Sequence, residues 1–340
     1  MNNRTWLQII GLVLVAAAPL VAQQQQQQGR LPMPIVPLRD PHFVPAAKAD
    51  FLKSDDRVIG VSENGVSKAY EPGVLAFHHV VQDNLGKAPI IAGWCSLCNT
   101  PLVYSSEVDG RKLTFEWAGN RGNNFFMRDL ETNSNWQQIG GDCFEGQMKG
   151  KRLTMVPFLY TTWGEWHEQH PDTLVLVPEA AYKAGYDFMN ERISTVAYGS
   201  NKKPGRELIR EQDTRLPNYE QVIGIEIHDG HKAYPVSTLR KEPVVNDKVG
   251  STPILVVYAA ASDTTTAFSR MLNGRPLTFR AAGSGTLLDN ETGSKWSFYG
   301  ECVEGSLKGK KLDRVIPQPG SWFAWAEFHP DTDIYAASAH

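Results

Sequence analysis

Cysteine is scarce in this chain: the 340 residues include four, so a scaffold held together by many disulfides is excluded. An excess of one charge is lacking too, because 34 Lys and Arg residues face 37 Asp and Glu residues. With no basic stripe, a nucleic-acid partner is not expected. The sequence also lacks a Gly-x-Ser-x-Gly elbow, a phosphate-binding loop, a dinucleotide fingerprint and a His-Glu-x-x-His motif. The corresponding hydrolase, nucleotide and zinc-protease sites are therefore not expected.

Long hydrophobic runs are confined to the N-terminus, where residues from Trp6 to Ala22 follow Arg4 and precede "QQQQQQGR". A short positive region, an apolar segment and a polar break are typical of a secretory signal peptide. We expect residues 1–22 to be that signal and the protein to be exported, to the periplasm or outside the cell; an uncleaved N-terminal anchor is the alternative. No later segment approaches the length of a membrane span. Residues 23–50, rich in Gln and Pro, are expected to form a flexible lead.

The rest of the chain contains two similar halves. "VIGVSENGVSKAY", which starts at Val58, matches "VIGIEIHDGHKAY", which starts at Val222. "ETNSNWQQIGGDCFEG" matches "ETGSKWSFYGECVEG", and "WGEWHEQHPDT" matches "WFAWAEFHPDT", in the same order. Ordered matches of this kind indicate an internal duplication. We predict a first repeat over residues 51–178, a connector over residues 179–217 and a second repeat over residues 218–340.

Each half carries the signals of β-structure. Dipeptides that favour tight hairpin turns separate short runs of Val, Ile, Phe, Tyr and Thr; they are Asn64-Gly65, Asp109-Gly110, Asp229-Gly230 and Asn273-Gly274. Paired tryptophans near the end of each half predict a short helix that His-Pro-Asp-Thr ends. The predicted fold is mainly β with minor α: a tandem duplication of a β-rich unit of about 120 residues, made of hairpins and a short C-terminal helix.

Because the halves are similar, each serves as a control for the other. Positions alike in both are explained by the shared fold. His170 and His329, both in His-Pro-Asp-Thr, are therefore interpreted as histidines that cap a helix or bond a buried carbonyl. Positions whose chemistry is present in the first half alone are candidates for function.

The candidates of this kind are two thiols, an imidazole, an amide and a thioether. Cys95, Cys98, His78, Gln138 and Met127 correspond in the second half to Ala259, Ser262, Glu242, Phe298 and Leu287. Their joint absence from the second half is expected if a single site has degenerated there.

The segment "GWCSLCNT" sets Cys95 and Cys98 three positions apart. A structural disulfide between them closes a loop so short that it contributes only about 2 kcal/mol in the chain-entropy model. Dithiol–disulfide redox chemistry is a second interpretation, although "PLVYSSEV" predicts a following strand and not the helix of thioredoxin-like sites. Metal binding is the third, because a tight turn brings two thiolates to one side of the chain.

For the metal interpretation, His78 joins Cys95 and Cys98 as a ligand, and Met127 or Cys143 are weaker candidates for a last ligand. Thiolate, imidazole and thioether together suit copper best, with zinc or ferrous iron next. We expect Gln138 to lie beside these ligands and to support them by hydrogen bonds.

The remaining two cysteines, Cys143 and Cys302, occupy equivalent positions in "GDCFEG" and "GECVEG". They either form one disulfide across the contact between the halves or are each buried as a small apolar side chain. The sequence leaves both alternatives open.

Several of these segments together resemble an exported bacterial and archaeal family catalogued as domain of unknown function 3179. They are "KAY", "HHVVQD", "PIIAGWCSLCNTPLVYSSEVDGRKLTF" and "WQQIGG", closing with the paired tryptophans and "HPDT". Members of that family carry His-Glu-x-Val-Asn-Asp, Cys-Pro-Leu-Cys and Trp-Ser-Gln segments in turn. The resemblance places the family's histidine on His78, its cysteines on Cys95 and Cys98, and its glutamine on Gln138.

The chain departs from the family pattern at three positions, where His79, Gln82 and Ser96 replace Glu, Asn and Pro. The resemblance is close over residues 55–178 and weaker in the second half. It implies no particular activity, but it supports the first half as the intact copy.

Three functions therefore stay open. The first is an exported metal-binding protein, an oxidoreductase if it is an enzyme. The second is a thiol–disulfide redox protein that uses Cys95 and Cys98, and the third is a non-catalytic binding or scaffold protein of the cell envelope. In each case we expect the partner to be a small molecule or a metal ion, with no membrane span once the signal is removed.

Overall fold

The computed structural model describes residues 33–197, 213–228, 230–283 and 285–337. The predictions that fall outside them concern the signal peptide, residues 23–32 of the lead, residues 198–212 of the connector and the turn residue Asp229. The described chain is 45% strand and 15% helix, which confirms a mainly β fold with minor α. None of the helices in these ranges has the length and hydrophobicity that crossing a membrane requires.

The N-terminal half, residues 33–197, is built mostly of short antiparallel strands. They are β1 (Phe43–Pro45), β2 (Arg57–Glu63), β3 (Val66–Tyr70), β4 (Val81–Leu85), β5 (Ala88–Cys95), β6 (Thr100–Ser105), β7 (Glu107–Val108), β8 (Arg111–Lys112), β9 (Phe115–Arg121), β10 (Asn124–Asp129), β11 (Asn135–Gln137), β12 (Cys143–Glu145), β13 (Phe158–Thr162) and β14 (Leu174–Leu176). Their sheets have the orders β1-β14-β3-β2-β13, β4-β5-β6, β12-β11-β10-β9 and β7-β8.

The C-terminal half, from residue 213 onward, contains a comparable set of strands. They are β15 (Gln221–Ile227), β16 (Gly230–Pro235), β17 (Val244–Val249), β18 (Thr252–Ala259), β19 (Thr264–Ser269), β20 (Met271–Leu272), β21 (Arg275–Pro276), β22 (Phe279–Ala281), β23 (Thr286–Asp289), β24 (Lys295–Ser297), β25 (Cys302–Glu304), β26 (Arg314–Val315), β27 (Gln318–Ser321) and β28 (Asp333–Ile334). The sheet orders are β27-β15-β16-β28, β17-β18-β19-β26, β22-β23-β24-β25 and β20-β21.

The helices are few and mostly short. They are α1 (Pro72–His78), α2 (Trp163–Gln169), α3 (Lys183–Ala197), α4 (Val236–Leu239) and α5 (Trp322–Phe328), with 3₁₀ turns at Ala46–Lys48 and Ala180–Tyr182. The short helices predicted at the paired tryptophans are confirmed as α2 and α5. His170 and His329 end these helices, and their backbone N–H groups donate to Trp166 and Trp325 respectively.

Hairpin turns lie where the sequence predicts them. Asn64, Asp109 and Asn273 have positive φ angles of 54°, 52° and 50°, as the first residue of a type I′ turn requires. These turns join β2 to β3, β7 to β8 and β20 to β21. The turn chemistry therefore sets the register of three hairpins directly from local sequence.

The repeated "ETxSxW" segments surround a buried carboxylate. The Asp129 side chain, fully buried at the end of β10, accepts hydrogen bonds from the backbone N–H groups of Thr132 and Ser134 and from Trp136 Nε1 at 2.8 Å. In the C-terminal half, Asp289 accepts a bond from Trp296 Nε1 at the same distance. Each carboxylate therefore fixes a tight turn and orients a tryptophan into the core.

The repeated Lys-Ala-Tyr segments anchor one strand to another. Lys68 Nζ lies 2.7 Å from Asp83, and the Tyr70 hydroxyl donates to the same carboxylate at 2.7 Å. Lys232 makes the equivalent 2.7 Å ion pair with Asp247 on β17. Because Lys68 and Asp83 are both buried, removing either one would leave an uncompensated buried charge, which destabilises more than the loss of a surface ion pair.

Each half inserts the tip of a hairpin into the other half. The carbonyl of Cys98, in the turn between β5 and β6, accepts a hydrogen bond from the backbone N–H of Ser321 at 2.8 Å. Reciprocally, Thr264, at the turn between β18 and β19, donates to Thr161 Oγ1 at 2.8 Å. The turn that carries the two cysteines is therefore buried by the C-terminal half.

We predict that Asp129→Ala lowers the free energy of unfolding by about 3 kcal/mol, because it leaves buried N–H groups without an acceptor. The next residue offers a matched control, since the Leu130 side chain is 47% exposed. Leu130→Ala should change the free energy by no more than about 0.5 kcal/mol. Urea denaturation followed by tryptophan fluorescence measures both; equal losses would contradict the role assigned to the carboxylate.

Candidate functional site

The two cysteines of the Cys-x-x-Cys segment meet in a tight turn. Cys95 ends β5 and pairs in register with Thr100, the first residue of β6. Asn99 takes a positive φ of 55°, which closes the turn. Hydrogen bonding between the Cys98 and Cys95 side chains lowers the pKa of Cys95, so the two thiols interact in the turn. The turn avoids the separation of about 10 Å that positions i and i+3 would have on a straight strand.

Hydrogen bonds from backbone N–H groups favour the thiolate form of Cys95. These groups belong to Leu97 and Cys98 in the turn and to Phe125 on β10. Burial by itself disfavours the thiolate, but the Cys98 thiol and these N–H groups outweigh it and lower the pKa of Cys95 to about 7. Cys95 is therefore the sulfur that ionises first.

Two polar side chains lie beside the sulfur of Cys98. Thr100 Oγ1 lies 2.9 Å from Cys98 Sγ, and Asn124 Nδ2 donates to that sulfur at 3.3 Å. Burial and the neighbouring Cys95 raise the pKa of Cys98 well above its usual range, while the two side-chain bonds act in the opposite direction. Both sulfurs thus have donors that favour negative charge, although one thiolate opposes the formation of the second.

Gln138 holds these donors in place. Its Oε1 accepts from Asn124 Nδ2 at 2.6 Å, and its Nε2 donates to the carbonyl of Thr100 at 3.0 Å. Gln138 and Asn124 are almost completely buried. Gln138 therefore lies next to the cysteine turn and is linked to it through Asn124 and Thr100. None of the hydrogen bonds described for Gln138 reaches a sulfur directly.

His78 lies apart from this cluster, and the predicted ligand set has to be corrected. Its Nδ1 bonds the carbonyl of Val36, and its Nε2 lies 2.8 Å from the hydroxyl of Tyr186 on α3. Both ring nitrogens are thus engaged. Helix α1 ends at His78, and the chain changes direction at His79, which has a φ of 59°. As a result, the ring of His79, and not that of His78, packs on Phe125 near the cysteine turn.

The weaker ligand candidates, Met127 and Cys143, make contacts elsewhere in the core. Met127 is buried on β10, opposite Trp136 in the strand register. The thiols of Cys143 and Cys302 each donate to a carbonyl of their own strand, at 3.4 Å. All four cysteines are free, and no pair lies at disulfide distance. Of the two alternatives for Cys143 and Cys302, the disulfide is therefore excluded, and each thiol is buried in a hydrophobic core.

A second group of potential ligands, which was not predicted from the sequence, lies in the C-terminal half. This group consists of Glu226, His231 and His329. Each contributes one ligand atom, and the three atoms lie within 4.8 Å of one another, so these residues form a candidate metal-binding group. Among the described residues, no other set of three His, Cys, Asp or Glu side chains brings its ligand atoms this close together. The sequence signal was present: Glu226 and His231 stand where the N-terminal half has Ser62 and Ser67.

An arginine from the N-terminal half completes the surroundings of this group. Arg152 binds both carboxylate oxygens of Glu226, at 2.5 and 2.7 Å. Burial raises the pKa of Glu226, but His329 and the Arg152 guanidinium together outweigh burial and hold that pKa far below its usual range. Arg152 and Glu226 line a cleft of about 500 Å³, together with His228 and Arg314.

Comparison with known proteins identifies a family and no characterised relative. The family model described as "Protein of unknown function (DUF3179)" matches residues 33–332, nearly the whole chain. No curated protein and no solved structure matches the chain. The family match thus extends over both candidate sites.

We predict that the metal-free protein forms a thiolate with a midpoint near pH 7, below the usual pKa of a cysteine. Because the pKa is lowered, the thiolate is present above that midpoint and is lost as the pH falls through it. Ultraviolet absorbance of the thiolate, recorded against pH, measures the midpoint without reagent access to the buried sulfur. Cys95→Ser should remove the transition and Cys302→Ser should leave it; a first midpoint above pH 9 would contradict the assignment.

Proposed function

We propose that this chain, which belongs to the DUF3179 family of proteins of unknown function, binds Cu(I) through Cys95 and Cys98. The site would consist of the two sulfurs and the donors around them. The chain would act after export, with residues 1–22 serving as the signal peptide. A copper ion held in this way would either be carried or take part in electron transfer.

The placement of hydrogen-bond donors on both sulfurs carries this proposal. Three backbone N–H groups point at Cys95, and the side chains of Thr100 and Asn124 lie on Cys98. A redox dithiol, in which a single thiolate forms at a time, needs stabilising hydrogen-bond donors on one sulfur alone. Support on both suits two thiolates that share one cation, whose positive charge offsets their mutual repulsion.

The number of ligands favours copper over the other metals considered. Soft thiolates select Cu(I), and two thiolates complete a linear site for it. Zinc prefers four ligands in a tetrahedron. With His78 bonded to Val36 and Tyr186, the described residues supply no third His, Cys, Asp or Glu ligand within reach of the two sulfurs. We therefore remove His78 from the proposed ligand set and keep Gln138 as a support.

The second candidate function is thiol redox chemistry at the same pair, which the Cys98-to-Cys95 hydrogen bond favours. The Cys95 thiolate would attack a small hydroperoxide, form a sulfenic acid and release an alcohol or water. The Cys98 thiol would then attack that sulfur, form the disulfide and release water. Two electrons leave the two thiols and reduce one hydroperoxide; a reductant such as a small thiol would restore the pair.

We infer in addition that the two halves descend from one duplicated unit. The repeats would span residues 51–178 and 218–340, joined by a connector over residues 179–217. The order β13-β2-β3-β14 corresponds to β27-β15-β16-β28, and β9 to β12 correspond to β22 to β25, in support of this proposal. A non-catalytic envelope scaffold is the function that would remain if neither copper binding nor thiol redox chemistry is found.

We predict that the protein binds about one equivalent of Cu(I), measured anaerobically against a chromophoric Cu(I) chelator. Cys95→Ser and Cys98→Ser should each abolish binding. Thr100→Val should weaken it about tenfold, because it removes a hydroxyl that bonds both Cys98 Sγ and Gln138 Oε1. His78→Ala should leave the affinity unchanged.

Matched controls come from the C-terminal half. Thr264 occupies the position equivalent to Thr100, and Cys302 the position equivalent to Cys143, so Thr264→Val and Cys302→Ser should bind copper as the unchanged chain does. Copper binding that survives the double substitution Cys95→Ser with Cys98→Ser would refute the proposed site.

The redox candidate has its own test. Metal-free protein is treated with a small hydroperoxide, unfolded, and analysed by mass spectrometry and thiol counting. If the candidate is correct, the chain loses two hydrogens and two thiols, and peptide mapping locates the bridge between Cys95 and Cys98. Cys98→Ser should stop at the sulfenic acid. Full retention of both thiols under conditions that oxidise a free dithiol would exclude it.

A further inference from the structure

Glu226 and His231 face one another on neighbouring strands. They are paired directly across β15 and β16, so their side chains leave the same face of the sheet. His231 Nε2 lies 3.6 Å from one carboxylate oxygen of Glu226. His329, at the end of α5, places its Nε2 3.9 Å from the other oxygen. Three ligand atoms of the types that transition metals prefer therefore converge from three separate elements.

The ring of His329 is oriented as a metal ligand would be. It stacks on the Trp325 ring, with 3.8 Å between centroids, and its Nδ1 lies 3.1 Å from the carbonyl of Trp325. Since a carbonyl only accepts, Nδ1 carries a proton, which leaves Nε2, the ring nitrogen nearer Glu226, as the one that can bind a metal ion once it is deprotonated. A backbone carbonyl on the far nitrogen is the usual support of a metal-binding imidazole.

The N-terminal half shows the same frame without the ligands. Ser62 and Ser67 are paired across β2 and β3, and His170 ends α2. There, His170 Nδ1 lies 3.2 Å from the hydroxyl of Ser67. A histidine at the helix end is therefore compatible with a purely structural role. What distinguishes the C-terminal half is the addition of a carboxylate and a second imidazole beside it.

Arg152 occupies the position that a cation would take beside Glu226. Its guanidinium binds both oxygens of the carboxylate, and its Nε lies 3.5 Å from Asp142. A metal ion bound to Glu226 would repel this guanidinium, so the two cations exclude one another. The side chain of Arg152 is 44% exposed, so it can leave toward the cleft while Asp142 remains its partner.

We propose that Glu226, His231 and His329 bind a divalent transition-metal ion of the zinc or ferrous class, and that Arg152 competes with the ion for Glu226. Two imidazoles and one carboxylate form a ligand set that catalytic zinc and non-haem iron sites both use, with further coordination positions left for water or substrate. These positions would open toward the 500 Å³ cleft that Glu226 lines. The site is independent of the copper proposal, since it shares no residue with it.

The test is zinc binding in the full chain with Cys95→Ser and Cys98→Ser, which prevents zinc from binding to the thiolates. Isothermal titration should give one site, and Co(II) should give the visible absorption of a nitrogen- and oxygen-ligated centre. Glu226→Ser with His231→Ser, which reproduces the residues of the N-terminal half, should abolish both signals while the fold is retained. Arg152→Gln should tighten zinc binding about tenfold, as loss of a competing cation predicts.

Two controls decide the outcome. His170→Ala removes the equivalent histidine of the N-terminal half, and Lys311→Gln removes the basic residue at the position equivalent to Arg152; neither should alter zinc affinity. Zinc binding that persists in the Glu226→Ser, His231→Ser variant, or absence of binding in both the parent and the Arg152→Gln variant, would overturn the proposal. Either result leaves the copper measurement at Cys95 and Cys98 unaffected.

Discussion

The reciprocal insertion of one half's hairpin tip into the other half is the constraint on which both candidate sites depend. Cys98 lies in a turn whose carbonyl is bonded by Ser321, and Phe323 on α5 packs into the core of the N-terminal half. The C-terminal half thus covers the turn that carries the thiols and adds to the core in which they are buried. The Arg152–Glu226 pair crosses the same contact in the opposite direction. Separation of the halves would expose the sulfurs and remove the charge partner of Glu226 together.

The two sites differ in chemistry because they differ in access and in donor atoms. The sulfurs of Cys95 and Cys98 are buried among hydrogen-bond donors, an environment that favours the Cys95 thiolate. The ligand atoms of Glu226 and His231 are nitrogen and oxygen, on side chains 13% and 28% exposed. The two candidate sites therefore offer different ligands: sulfur in the turn between β5 and β6, and nitrogen and oxygen beside β15 and β16.

The candidate residues were predicted unevenly, for identifiable reasons. Cys95, Cys98 and Gln138 stood out because their chemistry is missing from the second half, and they lie together in the structure. His78 satisfied the same criterion, yet its ring points toward α3, since the end of α1 directs it away from the turn. Glu226 and His231 were missed because the halves were compared in one direction only.

What the sequence by itself determined are the features encoded within a few residues. Type I′ turns at Asn64 and Asn273, the helices closed by His-Pro-Asp-Thr and the mainly β class follow from local backbone preferences and from strand patterning. The tertiary structure alone decided which distant side chains meet: that Asn124 reaches Cys98, and that Arg152 reaches Glu226. These contacts depend on how sheets from the two halves pack, and packing is set by the summed fit of many side chains that no local segment contains.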